Sequence, residues 1–449
     1  MKVLLIRPKP DPRTIGLQHV MVVEPLELLY VAGALMPAHQ VVVYDMILER
    51  KTLEHILREE APELVALTGY IAHVGVLKAY AHRIRQVLGE TVTIAVGGVH
   101  AEVVPEDFLD GEFDHILSSN GLRVIREIAD GLHPRPRPGA SATIHGGPKY
   151  FLEPPLPIRH LVDRYRKHYY YMFHRPCALV KTSYGCPYRC AFCFCKAITE
   201  GQYVQRDIDA VVEELLGIPE REIYIVDDDF LFDVPRLERF IAKVEALKLN
   251  KRYLVYGRAD FIAAHPELMT RLKAIGLRAV IVGLESALDD ELDKYNKGSQ
   301  VATSRQALEV LRRLNIDCYG TFIIGLDWTK ADFKALGRFI HQESLQFVNL
   351  QPLTPVPGTE VFSKYQEMLT VPLTDYHMYD MAHAVMAPTH MSLRQFYFQI
   401  VKRYYLTTLR PKHVIGALFR YPLIENYKLL IGANRVMGQY LMRILKGTP

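Results

Sequence analysis

Short apolar runs, each followed by a stretch of helical periodicity, recur along most of this chain. Few folds tolerate that alternation. A run that is apolar throughout suits a strand buried on both faces, and parallel neighbours need a crossover helix. In residues 1–130 the runs are KVLLI, VVVYD, ELVALTG, TVTIAVGG and DHILS, with helical stretches such as VLKAYAHRIRQVLG between them. Five such units predict a doubly wound parallel sheet, which takes ligands at the carboxyl ends of its strands. From Ala178 the alternation resumes with LVKTSY, EIYIVDDD, YLVYGRAD, RAVIVGLES, DCYGTFIIGL and FVNLQPLTP. Six units in a row predict a partial (βα)6 barrel, again with its chemistry at the carboxyl strand ends.

Seven prolines fall in residues 131–158 and mark the clearest boundary in the chain. After Thr359 the pattern turns mostly helical. The α/β class therefore divides into a doubly wound domain over 1–130, a proline-rich linker over 131–176, a barrel over 177–360, and a small helical region with a basic tail over 361–449. Hydrophobic residues at 49% and charged residues at 23% suit large folded cores and leave no disordered region. The leading MKVLLIRPKP is too short for a secretory signal, so a cytoplasmic location is expected, with its thiols reduced. Residues 401–449 hold nine Lys or Arg against the single acid Glu425. Two readings of that tail are open: a solvated basic face, or a peripheral contact with anionic lipid or an acidic substrate. Without a recognition module, the basic residues do not point to nucleic acid.

Four of the six cysteines lie in SYGCPYRCAFCFC, residues 183–195, at the exit of the first barrel strand. Cys186, Cys190 and Cys193 form CxxxCxxC. In a reducing compartment that spacing points to metal. Three thiolates can hold a cubane and leave one iron open, whereas structural zinc prefers four protein ligands. Cys195, Cys177 and Cys318 read as small packing residues.

The cysteine motif, with Phe192 before its third thiol and a βα series after it, resembles the radical S-adenosylmethionine superfamily. The resemblance implies a [4Fe–4S] cluster on Cys186, Cys190 and Cys193. Its open iron would take S-adenosylmethionine, which is cleaved to methionine and a deoxyadenosyl radical. It places Phe192, Asp227, Asp228, Arg258, Glu285 and the backbone of Ile323, Gly325 and Leu326 around that molecule. VDDDF ends the second barrel strand, where carboxylates would pair an ammonium group. The alternative for those acids is a helix cap, since Asp233 opens the next helix. An acid in the apolar run RAVIVGLES needs a partner, and Arg258 is expected either as that partner of Glu285 or as a carboxylate clamp.

VVEPLELLYVAGAL, VVVYD, ELVALTGY and AVGGVHAEVVPEDF, placed ahead of that barrel, resemble the cobalamin-binding domain of cobalamin-dependent radical S-adenosylmethionine enzymes. Magnesium-protoporphyrin cyclases and hopanoid-modifying enzymes belong to that group. GRADFIAAHPELMTRLKAIGLRAVIVGLES and YNKG extend the likeness through the barrel. The resemblance implies cobalamin, with Tyr70, Gly97, Gly98 and Ser118 lining its site. Gly97-Gly98 also suits a plain turn. The chain departs from the corrinoid motif DxHxxG, since MILER follows Asp45, and it has SSNG where relatives carry Gly-Glu-Gly-Glu. The implied reaction is transfer of a methyl group to an unactivated carbon of a lipid or secondary metabolite. Cyclisation or rearrangement through the same cofactors is the alternative, and a non-catalytic iron–sulfur or zinc protein the third reading. An electron donor such as flavodoxin or ferredoxin is implied as partner.

Overall fold

The computed structural model describes residues 1–16, 19–147 and 154–448. Part of the expected linker, residues 148–153, and the last residue of the tail lie outside the described residues. The first sheet runs β1 (Lys2–Arg7), β2 (Gln40–Asp45), β3 (Leu64–Thr68), β4 (Thr93–Gly97), β5 (His115–Ser119) and β6 (Ala142–His145). Its order is β2-β1-β3-β4-β5-β6, all parallel. The order reverses between β1 and β3, which is where a doubly wound sheet opens a ligand crevice. Val3, Leu5, Leu64 and Ala95 pack under one layer of helices, and Leu4, Ile6, Val65 and Ile94 under the other. Burial on both faces is why these strands are apolar throughout.

The proline-rich segment, expected as a linker, also adds β6 to this sheet, and its Val162, Tyr165 and Tyr169 join the first core. Apolar periodicity is weak in ATIH because β6 is an edge strand, only half buried.

The second sheet contains β7 (Cys177–Val180), β8 (Glu222–Ile225), β9 (Arg252–Gly257), β10 (Leu277–Glu285), β11 (Asp317–Ile324) and β12 (Phe347–Pro352). These pair in chain order, all parallel, as an open six-stranded barrel. A register shift between Gly283 and Glu285, with Glu285 at φ +57°, breaks the ladder of β10 at its carboxyl end. Such breaks re-aim a side chain beside a site.

Buried charges join the two sheets. Glu24 precedes α1 (Leu26–Leu35) of the first domain. It accepts from the backbone N–H of Leu179 on β7 at 2.9 Å and pairs with Arg159. Arg159 also reaches Glu214, which pairs with Arg206 at 2.9 Å. Arg206 donates to Tyr30 of α1 at 3.0 Å. All four charged residues are buried or nearly so. The carboxyl ends of both sheets therefore face a shared space with little freedom to slide.

Two short helices meet across that space, α2 (Val99–Val103) and α3 (Cys195–Thr199). Beyond β12 the chain forms α4 (Leu393–Thr408), α5 (Pro411–Arg420) and α6 (Leu423–Lys446). α6 returns to the amino-terminal loop. The His19 carbonyl occupies the place a Cβ on Gly432 would need, and Gln439 donates to the carbonyl of Thr14 at 2.8 Å. Among the described residues no helix is long and apolar enough to cross a membrane.

Candidate functional site

The loop after β7 carries the three motif cysteines, and its shape is fixed from several sides. Gly185 turns it at φ +82°, where a Cβ would strike the carbonyl of Gln202. The N–H of Ala191 donates to the carbonyl of Tyr295 at 3.0 Å, and Asn296 donates to the carbonyl of Arg189 at 2.8 Å. YNKG thus braces the loop from beyond β10. The N–H of Val361 donates to the carbonyl of Ala191 at 3.1 Å. Phe192 lies edge-on to Tyr295 at 5.9 Å.

The thiols sit among cations and hydrogen-bond donors. Arg258 Nη1 stands 3.9 Å from Cys190 Sγ, and the Cys195 N–H donates to Cys193 Sγ at 3.4 Å. Burial pushes Cys186 up to about 12. Burial also raises Cys190, while the charges of Lys297 and Arg258 pull it back. A hydrogen bond from the Cys195 thiol lowers Cys193. Cys195 is buried, as a packing residue would be, and also touches one motif sulfur. Among the described residues no three His, Cys, Asp or Glu side chains group to hold a single metal ion. The donor set fits a larger anionic cluster better than zinc, because a cubane spreads its thiolates and N–H donors stabilise them.

The three acids of VDDDF divide the work. Asp227 is fully buried and accepts from the Thr182 N–H at 2.6 Å, the Thr182 hydroxyl at 2.5 Å and the Ser183 hydroxyl at 2.7 Å. It anchors the start of the cysteine loop, and the three bonds leave one acceptor position, on Oδ1, unused. Asp228 is exposed to the shared space, with Lys181 Nζ at 3.2 Å and the Gly185 N–H at 3.1 Å. Asp229 is 2% exposed, and neither carboxylate oxygen has a partner. Burial raises its carboxyl to about 8, against the pull of Arg258 and Lys297. A buried carboxylate without a donor is costly unless a cationic ligand completes it. Sequence reasoning passed over Asp229; its place two residues beyond Asp227, on the same side of an extended strand exit, was the available signal.

Arg258 and Glu285 do not pair. Arg258 forks onto Asp260, at 2.8 Å for its shortest contact, and lies 3.7 Å from the Tyr188 ring centre. Its Nη2 also donates to the carbonyl of Lys297 at 2.7 Å. Glu285 takes Lys297 Nζ at 2.8 Å, and both are buried. Lys297 comes twelve residues after Glu285 and closes over it because the break in β10 turns the carboxylate toward YNKG.

Ile323, Gly325 and Leu326 lie at the end of β11. The Leu326 carbonyl accepts from the Thr389 N–H at 2.9 Å, so the helical region caps that edge. Gly325 leaves room for the Trp328 ring, where a Cβ would stand 2.5 Å from Cδ1.

On the other domain, Tyr70 follows β3 and is 56% exposed, yet desolvation raises its phenol to about 12, with Glu27, Tyr256 and Asp228 adding to the rise. Solvent-accessible surface with strong desolvation describes a recess between the domains, bounded by β3 on one side and by β8 and β9 on the other. Desolvation also pulls His73 down to about 4, so its ring is neutral there. Gly97 and Gly98 end β4. Gly98 adopts φ +97°, and a Cβ would stand 2.5 Å from Thr68 Oγ1, so it serves a tight turn between strand exits. Ser118 sits deeper, 2.5 Å from His145 Nδ1, and lines a cavity of about 430 Å³ with Glu102 and Glu200. Asp45 is sealed against Arg7, at 3.0 Å to its Nε. His100 pairs with Asp107 at 2.6 Å. An open recess with a neutral imidazole at the sheet's switch point fits a broad planar group.

Comparison with known proteins places this geometry. Residues 180–340 match the radical SAM superfamily and residues 12–128 the B12 binding domain. The chain is 30% identical to the hopanoid C-3 methylase of Methylococcus capsulatus over 98% of its own length and 85% of that protein's. It is 22% identical to the anaerobic magnesium-protoporphyrin IX monomethyl ester cyclase of Cereibacter sphaeroides, over 89% of this chain and 68% of the other. Among solved structures, the methyltransferase TsrM of Kitasatospora setae, with cobalamin and a [4Fe-4S] cluster bound, superposes with a TM-score of 0.66 at 14% identity, over 98% of this chain and 99% of that one. The cobalamin-dependent enzyme OxsB superposes at 0.67 with 13% identity, over 99% and 80%.

Proposed function

Because the chain belongs to the cobalamin-dependent radical S-adenosylmethionine enzymes, we propose that it methylates an unactivated carbon of a lipid or secondary metabolite. When bound, the [4Fe–4S] cluster, S-adenosylmethionine and cobalamin supply reductive C–S cleavage, hydrogen abstraction from carbon and methyl carriage.

Cys186, Cys190 and Cys193 would ligate three irons. Arg258 and the Cys195 N–H sit on the sulfurs and favour the reduced, more negative cluster. The unpartnered Asp229 carboxylate carries the assignment of the S-adenosylmethionine site, since a methionine ammonium would satisfy it. Glu285 and Lys297 hold each other below that position, and Phe192 and the Ile323, Gly325 and Leu326 edge would flank the rest. Tyr70, His73, Gly97 and Gly98 would border the corrinoid in the recess, with Ser118 at its far edge. Asp228 and Tyr256 face the same space from the barrel, where a substrate would lie between the two cofactors. The electrons would come from a flavodoxin or ferredoxin.

Methyl-labelled S-adenosylmethionine tests the reaction. The product is expected to carry the label, with two molecules consumed for each turnover. A product without the label would replace methylation by cyclisation or rearrangement.

Asp229 gives a pH signature. Its carboxyl holds a proton below about pH 8, and pairing with an ammonium requires that proton to leave. Affinity for S-adenosylmethionine should therefore rise with pH to a maximum near 8 and fall above it, where the free amino group, with a pKa of about 8, loses the charge that the pair needs. Asp229→Asn should weaken binding about tenfold or more at pH 8 and flatten the profile, with iron content unchanged. Equilibrium binding to the cluster-loaded protein across pH measures both; a wild-type slope retained in the variant would assign the ammonium elsewhere.

A further inference from the structure

The helical region carries a cavity outside the site just described. It has a volume of about 520 Å³ and lies between α4 and the helix Lys330–Gln342. Lys334, Arg338, Arg403, Arg410 and His341 line it, with no carboxylate in its walls. Among the described residues none of the four Lys and Arg side chains pairs with an acid. Arg410 turns instead to the His341 ring. Arg403 lies across Gly337, in space that a Cβ would fill, and its Nε is buried without a partner. Cations gathered in this way repel one another and call for an anion from outside.

Leu406 lines the cavity, and further apolar residues of the helical region are exposed. Leu406 is 56% and Leu409 60% exposed, and Phe419, on α5, is 89% exposed. On α6, exposed Leu423, Tyr427 and Leu430 recur at helical spacing, and exposed Leu441 and Leu445 extend the stripe. Its length is about 33 Å at 1.5 Å per residue. Among the described residues nothing covers it. Asn434 and Gly438 interrupt the stripe, yet soluble surfaces rarely group so many apolar residues on one helix face, and a basic helix with such a face suits a membrane interface.

We propose that α4, α5 and α6 dock this protein on an anionic phospholipid bilayer, with the cavity seating a phosphoryl headgroup and the apolar stripe entering the acyl boundary. Charge selects this occupant. Nine cations against Glu425 oppose contact with a second copy of the chain, which would bring the same sign. Glu425 itself is engaged by Lys428 at 3.0 Å. None of these helices can span a bilayer, so they lie on it. The docking deepens the lipid-substrate reading and rests on it only for its purpose.

Flotation of the full-length, cluster-loaded protein tests the proposal. The vesicles are phosphatidylcholine alone, or phosphatidylcholine with about one third phosphatidylglycerol. Binding to the anionic vesicles is expected to exceed binding to neutral ones at least about tenfold and to weaken with salt. Phe419→Ser with Leu423→Ser should lower it about tenfold or more through lost apolar burial. Lys334→Gln with Arg403→Gln should remove the preference for anionic lipid. Both variants should keep far-ultraviolet circular dichroism and S-adenosylmethionine binding. Absent flotation, equal binding to both vesicles, or self-association by light scattering that consumes the apolar face would overturn the docking. So would an unchanged result for Phe419→Ser with Leu423→Ser alongside protection by inorganic phosphate, which would make the cavity a site for a free anion. None of these readouts uses turnover, so loss of docking with intact S-adenosylmethionine cleavage leaves the catalytic reading in place.

Discussion

Serine at Cys186, Cys190 or Cys193 empties the cluster site: iron falls from about four atoms to near zero per chain, and cleavage of S-adenosylmethionine disappears. The reason lies in the loop. Each motif thiol is held by its own constraint, namely the Gly185 turn, the Asn296 and Tyr295 braces, and the Cys195 N–H. Cys195 is the nearest thiol, but it is buried at the start of α3 and directed at Cys193. Cys195→Ala should keep the iron and shift only the reduction potential, since a donor to one sulfur is lost. Iron and sulfide analysis with electron paramagnetic resonance separates the cases. Full iron retention in any of the three serine variants would exclude that position as a ligand.

Arg159→Ala should cost about 3–5 kcal/mol, the range for removing one partner of a buried ion pair. The variant leaves buried Glu24 without its cation, while Glu214 keeps Arg206. Burial already raises Glu24. Alanine at 159 would favour its protonation and release its hold on Leu179 of β7. Arg159→Met, which fills the volume, should cost nearly as much, because the stranded Glu24 carboxylate causes the loss. A double change that also makes Glu24 glutamine should recover part of it, with Glu214 kept because it pairs Arg206. Denaturant unfolding with limited proteolysis of the 131–158 segment measures both stability and domain release. A change below about 1 kcal/mol would mean that solvent reaches these carboxylates.

Much of this was legible from residue order. Five strands of the first sheet and all six of the second were apolar runs with helical patterns between them, and the cysteine spacing named its own chemistry. The failures share a cause. Asp227 and Asp229 look alike in VDDDF, and only the path of the Thr182–Ser183 backbone decides which one anchors the cysteine loop and which is stranded. Glu285 needed a cation, as an acid in an apolar strand must, but its partner depended on the break in β10 that aims it at Lys297 rather than Arg258. β6 was hidden by its prolines and by half burial at an edge. The tail's charge was countable in the sequence, whereas the side its apolar residues face required α4 and α6 to pack on the barrel first.

The clasp between Gln439 and Thr14 spans 425 residues. At a synthesis rate of about 5–20 residues per second, the loop that follows β1 waits roughly 20–85 s for its seal. The first sheet can pair its strands in that time, while the loop still lacks its hold on α6. That loop is therefore among the last parts of the first domain to be fixed, and truncation before α6 would leave the Thr14 carbonyl without this partner.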